Sequence, residues 1–293
     1  MSFERKCFPF LVSMNSNIAK SLYLDLMKRC LTDLIYRQTQ REAGFKGFRE
    51  RRSVKLLTKR GLKVLESQEF DEDLRSIGKD WPSAAHTMIG LKRLDNLQFC
   101  VEDVISNGIK GDLIETGVWR GGATILMRAI LKVNDVTDRC VWVADSFEGL
   151  PPPDPDRYPE DGGDRHHTRR ELAVSLDEVR SNFQRYGLLD DQVRFLKGWF
   201  RDTLPAAPIG QLAVIRLDGD MYESTMDALA ALYPKLAIGG YLIVDDYNAV
   251  AGCRKAIYDY RYRNNISEEI IPVDWTAVYW KKTTDLAERT MNP

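Results

Sequence analysis

The chain has 293 residues, 42 Lys and Arg against 43 Asp and Glu, and 44% hydrophobic residues. This suits one large α/β domain with an added segment, or two small domains, and its neutrality argues against nucleic acid as a partner. Five scattered cysteines with no CxxC pair argue against thiolate metal sites and a disulfide framework, and no apolar stretch reaches membrane-spanning length.

In chain order, Phe8-Pro9-Phe10-Leu11-Val12 is too short for a secretory core, so a soluble, cytoplasmic protein without a membrane partner is expected. From Ile18, the positions Leu22, Leu24, Leu26, Met27, Leu31, Leu34 and Ile35 recur at three- and four-residue spacings and predict an amphipathic helix. A basic stretch follows to about Arg60, densest at Lys46-Gly47-Phe48-Arg49-Glu50-Arg51-Arg52, and reads as a solvated face or loop. A short helix is expected to begin within 62–65. Trp81-Pro82 breaks the chain, and 91–105 resumes helical spacing. Residues 1–108 thus read as a helical N-terminal extension, and 109–293 as the core.

The core alternates apolar runs with helical patterns. Strands are expected at 113–116, 141–145, 193–196, 212–217 and 241–244, with helices after Gly122, at 172–186, at 225–236 and at 252–262. Such alternation implies a parallel sheet with helices on both faces. Two short strands, 270–273 and 277–281, close the sheet as a hairpin. One insertion, 149–170, interrupts the rhythm. Its Pro151-Pro152-Pro153-Asp154-Pro155 and Asp161-Gly162-Gly163-Asp164 argue against regular structure, and its place after a strand end suggests a lid.

Two strands end in acid: Leu217-Asp218-Gly219-Asp220 and Val244-Asp245-Asp246-Tyr247. Clustered carboxylates repel unless a cation or proton sits among them, so Asp218, Asp220, Asp245 and Asp246 are candidate ligands for a hard ion such as Mg²⁺. Glu115-Thr116-Gly117-Val118-Trp119-Arg120-Gly121-Gly122 lies between strand and helix. It is no GxGxxG, and the acid before its first glycine suits a cationic amino-acid ligand better than a pyrophosphate. Asp145 ends the next strand, where a doubly wound sheet uses an acid to accept from a ribose diol. His166 and His167 stand together in the insertion and can serve as base, ligand or substrate contact, or as an idle surface pair.

These segments, with Asp145-Ser146-Phe147-Glu148-Gly149-Leu150-Pro151, Gly163-Asp164-Arg165-His166-His167, Arg216-Leu217-Asp218-Gly219-Asp220-Met221-Tyr222 and His86-Thr87-Met88-Ile89-Gly90-Leu91, resemble the macrocin O-methyltransferase family of S-adenosylmethionine-dependent enzymes. The resemblance implies a class I methyltransferase fold: a Rossmann-like seven-stranded sheet with its last strand antiparallel. It implies cofactor contacts from Glu115, Thr116 and Gly117 to the amino-acid part and from Asp145 to the ribose. Ser146, Gly198 and Trp199 would lie near the adenosine, Met88 on the methionine portion, and Asp218 beside the cofactor. Asp218, Asp245 and Asp246 would bind Mg²⁺. Asp220 matches the general base, with His166 or His167 as rivals. The acceptor would be a small-molecule glycoside, methylated on a (deoxy)sugar hydroxyl in antibiotic or secondary-metabolite biosynthesis. A homo-oligomer, dimer or tetramer, with contacts from the extension is implied. A catechol-type O-methyltransferase and a non-catalytic S-adenosylmethionine-binding regulator remain alternatives.

Overall fold

The computed structural model describes residues 8–37, 40–42, 54–67 and 69–286. Most of the basic stretch, including Lys46 to Arg52, lies outside them. The extension opens with α1 (Phe8–Leu31). A small antiparallel pair follows, β1 (Gln40–Glu42) with β2 (Leu65–Ser67), then α2 (Glu72–Ser76) and α3 (Leu91–Ser106). The helix expected at 62–65 is therefore replaced by a strand from Leu65. Three residues are too few for periodicity to separate the two, and pairing with a distant segment decides. No helix among the described residues is long and apolar enough to cross a membrane.

The core begins with β3 (Asp112–Thr116), α4 (Gly122–Val133) and β4 (Val141–Asp145). It continues through α5 (Leu176–Arg185), β5 (Val193–Lys197), the short α6 (Phe200–Thr203), β6 (Leu212–Leu217) and α7 (Tyr222–Leu232). It ends with β7 (Leu236–Val244), α8 (Ala251–Arg263), β8 (Ile271–Pro272) and β9 (Val278–Lys281). The seven strands run in the order β5-β4-β3-β6-β7-β9-β8. The first five are parallel, and β9 is antiparallel to both β7 and β8. This is the expected α/β sheet, closed by the expected hairpin.

Period-two alternation divides the apolar side chains between two layers. Leu113, Val143 and Ile243 pack with α3, α4 and α5 through Leu97, Ile125 and Phe183. Their neighbours Ile114, Trp142, Ala144, Leu242 and Val244 pack with α7 and α8 through Leu229, Leu232 and Ile257. Each fully buried aliphatic side chain stabilises by about 1.5–3 kcal/mol relative to exposure, so both faces are strongly specified. Leu24, Met27 and Leu31 of α1 join the first layer, whereas Ile18, Leu22 and Leu26 are exposed.

Several details differ from expectation, among them the helix expected at 225–236, which spans Tyr222–Leu232. β7 starts five residues early, at Leu236, with an irregularity at Gly239 (φ +84°) and Gly240 that interrupts the apolar run. α5 starts at Leu176, not Leu172, because Ser175 caps it by accepting from the Glu178 amide at 3.2 Å. The insertion is ordered into short 3₁₀ turns at Pro159–Asp161, His166–Thr168 and Arg170–Leu172. Proline at the start of a turn favours its φ, so proline density did not exclude local structure here.

Candidate functional site

Strand order reverses between β3 and β6, and the chain leaves these two strand ends in opposite directions, opening a crevice. A pocket open to solvent, with about 770 Å³ of empty space counting its mouth, lies there, lined by Gly117, Asp145, Gly198, Asp218 and Asp220 among others. Its walls are turns with unusual backbone. Gly117 has φ +83°, and a Cβ there would lie 1.7 Å from the Asp218 carbonyl oxygen, so only glycine fits between β3 and β6. Trp119, Phe147 and Asp220 hold φ of 48°, 57° and 58° at three successive strand ends. Non-glycine residues in that region store strain that the surrounding structure must overcome.

Of the residues expected to touch a cofactor, Met88, Gly117, Asp145, Ser146, Gly198, Trp199 and Asp218 line the pocket. The Asp145 carboxylate accepts from the Val118 amide at 2.8 Å and the Phe147 amide at 2.7 Å. Burial raises its pKa and those amides oppose the rise. Ser146 Oγ also lies 3.3 Å from the oxygen that the Phe147 amide holds, so the carboxylate is fixed by several donors at the pocket wall. Ser146 Oγ donates to the Gly149 carbonyl at 2.6 Å and accepts from the Glu148 amide, which shapes the turn after β4.

Glu115 and Thr116 are not among the lining residues; both are buried in β3. The cation expected for Glu115 comes from the chain itself. Arg216 stands opposite it on β6 and donates to its Oε1 at 2.5 Å. The same Nη1 reaches Asp218 at 2.6 Å, and Nη2 reaches Asp245 Oδ1. Arg93 of α3 holds the other Asp245 oxygen at 2.5 Å, and its Nε lies 3.0 Å from Asp274. Neither arginine was singled out from the sequence. The signal was present: Arg216 is the one charge in a buried six-residue strand, Leu212–Leu217, and such a charge requires partners.

Asp218, Asp245 and Asp246 come together as expected, each offering an oxygen within 4.8 Å of the others. The two guanidiniums face Glu115, Asp218, Asp245 and Asp274, and neither reaches Asp220 or Asp246. Negative charge is therefore left over. Burial, reinforced by the charge of Asp218, pushes Asp220 up to about 7. Burial and Asp245 push Asp218 up to about 6, against the pull of Arg216. Burial and Asp220 hold Asp246 well above the carboxylate range. An oxygen-only, over-acidic cluster fits a hard divalent cation.

The insertion carries its two histidines on one turn but exposes them differently. His166 is half-buried, with Nδ1 2.6 Å from Asp164 Oδ2, and when protonated it lowers the Asp220 pKa. His167 is exposed on the same turn, which does not support the role proposed for it. Sequence adjacency could not separate the two. The insertion is also fastened. Trp119 Nε1 donates to the Glu171 carbonyl at 2.8 Å, and Arg169 lies over the Trp81 ring. Asp161 accepts from the amides of Tyr222 and Glu223 at 2.6 and 3.0 Å. On the extension, His86 lends its carbonyl to the Gly122 amide at the start of α4.

The chain matches a family model described as Macrocin-O-methyltransferase (TylF) over residues 20–282. It is 54% identical over 276 residues, 94% of this chain and 97% of the relative, to the 8-demethyl-8-(2,3-dimethoxy-alpha-L-rhamnosyl)-tetracenomycin-C 4'-O-methyltransferase of Streptomyces olivaceus. It is 51% identical over 272 residues, 92% of this chain and 96% of the relative, to the demethyldecarbamoylnovobiocin O-methyltransferase of Streptomyces niveus. The solved structure of the O-methyltransferase NovP superposes with a TM-score of 0.79 at 50% identity, covering 90% of this chain and 100% of that one.

Proposed function

This chain belongs to the macrocin O-methyltransferase family and is an O-methyltransferase; from that premise we propose that it methylates a sugar hydroxyl of a glycosylated natural product, using S-adenosylmethionine and Mg²⁺. The carrying observation is the over-acidic cluster of Asp218, Asp245 and Asp246 beside a pocket that Gly117 and Asp145 also reach. The name of the Streptomyces olivaceus relative includes a rhamnosyl group and a 4'-O-methyl transfer, which supports a sugar acceptor. Antibiotic or related secondary-metabolite biosynthesis is the matching setting.

S-adenosylmethionine would supply an electrophilic sulfonium methyl. Asp145 would accept from its ribose hydroxyls, with Met88, Gly117, Ser146, Gly198 and Trp199 around the remainder. Asp218, Asp245 and Asp246 would hold Mg²⁺, whose chemistry is to orient acceptor oxygens and lower a hydroxyl pKa. Asp220 takes the acceptor proton on its carboxylate. A base with a pKa near 7 is well matched to that work. His166, fixed by Asp164, is the remaining rival base. Glu115 and Thr116 act from behind the wall, Glu115 by holding Arg216. The pocket walls and the insertion 149–170 keep water from the reacting oxygen. We retain residues 1–108 as a cap on the 109–293 core and assign homo-oligomer contacts to the exposed Ile18, Leu22 and Leu26 stripe of α1.

Product masses test this reading. The enzyme is incubated with S-adenosylmethionine and a panel of deoxysugar glycosides, flavonoids and catechols, with Mg²⁺ or with a chelator. Methylation of a glycoside on its sugar, lost on chelation, is expected. Methylation confined to catechols would replace the acceptor, and full turnover under chelation would remove the metal.

A further inference from the structure

We propose that Asp161 of the insertion is a positioning residue for Asp220: it caps helix α7 from a distant segment and so fixes where the Asp218-Gly219-Asp220 turn ends. The proposal rests on Asp220 being the general base.

An α-helix leaves its first amides without helical partners. In α7 the residue at the N-cap position is Met221, whose side chain makes no capping bond. Asp161 supplies the acceptor instead. Its carboxylate is buried at 4% exposure, with one oxygen 2.6 Å from the Tyr222 amide and the other 3.0 Å from the Glu223 amide. A carboxylate at a helix N-terminus also meets the positive end of the helix dipole. Tyr222 follows Asp220 by two residues, and Asp220 holds a strained left-handed conformation that needs support from both sides. On one side the Asp220 amide donates to Asp246 at 3.2 Å. On the other stands the Asp161 cap.

α8 makes room for this arrangement. A Cβ at Gly252 would lie 2.9 Å from Asp161 Oδ1 and 3.1 Å from the Tyr222 nitrogen. Asp161 is thus wedged between the helices that follow the two acidic strand ends. Three residues further on, Asp164 holds His166. The insertion does more than cover the pocket: it anchors the turn on which the base stands.

The test compares variants of the enzyme. In Asp161→Ala, kcat should fall roughly 10- to 100-fold through misplacement of the base. Acceptor KM and calorimetric S-adenosylmethionine affinity should stay within about threefold, since cofactor contacts are untouched. Asp161→Asn keeps one acceptor oxygen and should lie between. Ser175→Ala removes a cap from α5, away from the acid cluster, and should lower stability without lowering kcat. Gly252→Ala should reproduce the kcat loss and add little in the Asp161→Ala background. If Asp161→Ala does not fold, normal kcat in both Asp161→Asn and Gly252→Ala overturns the proposal. If it folds, kcat equal to that of Ser175→Ala does so. Asp220→Asn run alongside separates the two readings: near-normal turnover there removes the base itself, whereas an inactive Asp220→Asn beside an unaffected Asp161→Ala removes only the cap.

Discussion

The two halves of the crevice are built on opposite principles. On the β3–β4 side, Asp145 is satisfied by backbone amides and the close approach is made by glycine. On the β6–β7 side, carboxylates crowd around two buried guanidiniums and charge is left over. The first half holds its shape through hydrogen bonds from its own backbone amides. The second is completed only by protons or a cation. Binding and chemistry should therefore come apart under mutation, chelation and pH.

The largest separation is expected at Asp220. Asp220→Asn keeps shape but removes proton affinity, so kcat should fall roughly 10²–10⁴-fold while S-adenosylmethionine affinity, measured calorimetrically, stays level. A parallel loss of cofactor binding would erase the division between the halves.

Arg216→Met should be nearly as damaging, but to stability. Removing one partner of a buried ion-pair network costs about 3–5 kcal/mol, because the carboxylates left behind remain buried. Chemical denaturation measures this, and adding Glu115→Gln should recover part of the loss. A neutral Arg216→Met would mean the cluster is held by something other than its internal cation.

On the opposite side the effect is smaller. Asp145→Ala should weaken S-adenosylmethionine by about 1.5–3 kcal/mol, the value of hydrogen bonds to a charged acceptor. Mg²⁺ affinity should not change, and calorimetry with each ligand in turn checks both halves.

The pH response gives the finest discrimination. The raised Asp218 and Asp220, at about 6 and about 7, bind protons more tightly folded than unfolded. Their contribution to metal-free stability should therefore be full below the unfolded carboxylate value, about 4, and be lost as pH rises through 6 and 7. Mg²⁺ must displace those protons, so its affinity should drop about tenfold per pH unit below 6 for each proton displaced. Thermal unfolding at pH 5 and pH 8, with and without Mg²⁺, reads both. Equal stabilisation by Mg²⁺ at the two pH values would show that these carboxylates are not its ligands.

How far this contrast could be read from the sequence depends on distance along the chain. The strands were legible because each is a short apolar run, and Asp145, Asp218, Asp245 and Asp246 because each ends or follows one. Gly239 and Gly240 hid the start of β7, since glycine marks a bulge and a turn alike. Arg216, which holds one oxygen of Glu115, could not be paired with it from the sequence because it lies 101 residues away. Asp161 escaped for the same reason: its partners are 61 and 62 residues on. His166 and His167 differ only in which way one turn faces, and local composition carries no such information.

The Glu115–Arg216 pair also bears on how the protein is made. β3 is synthesised long before β6, yet the two are neighbours in the sheet. Until β6 arrives, β3 cannot be buried without stranding Glu115 in an apolar layer. The nascent first half must therefore keep that edge wet, and the sheet centre closes only after a long loop has been drawn in. A chain stopped before Leu212 would expose the apolar edge of β3, a template for association between incomplete chains.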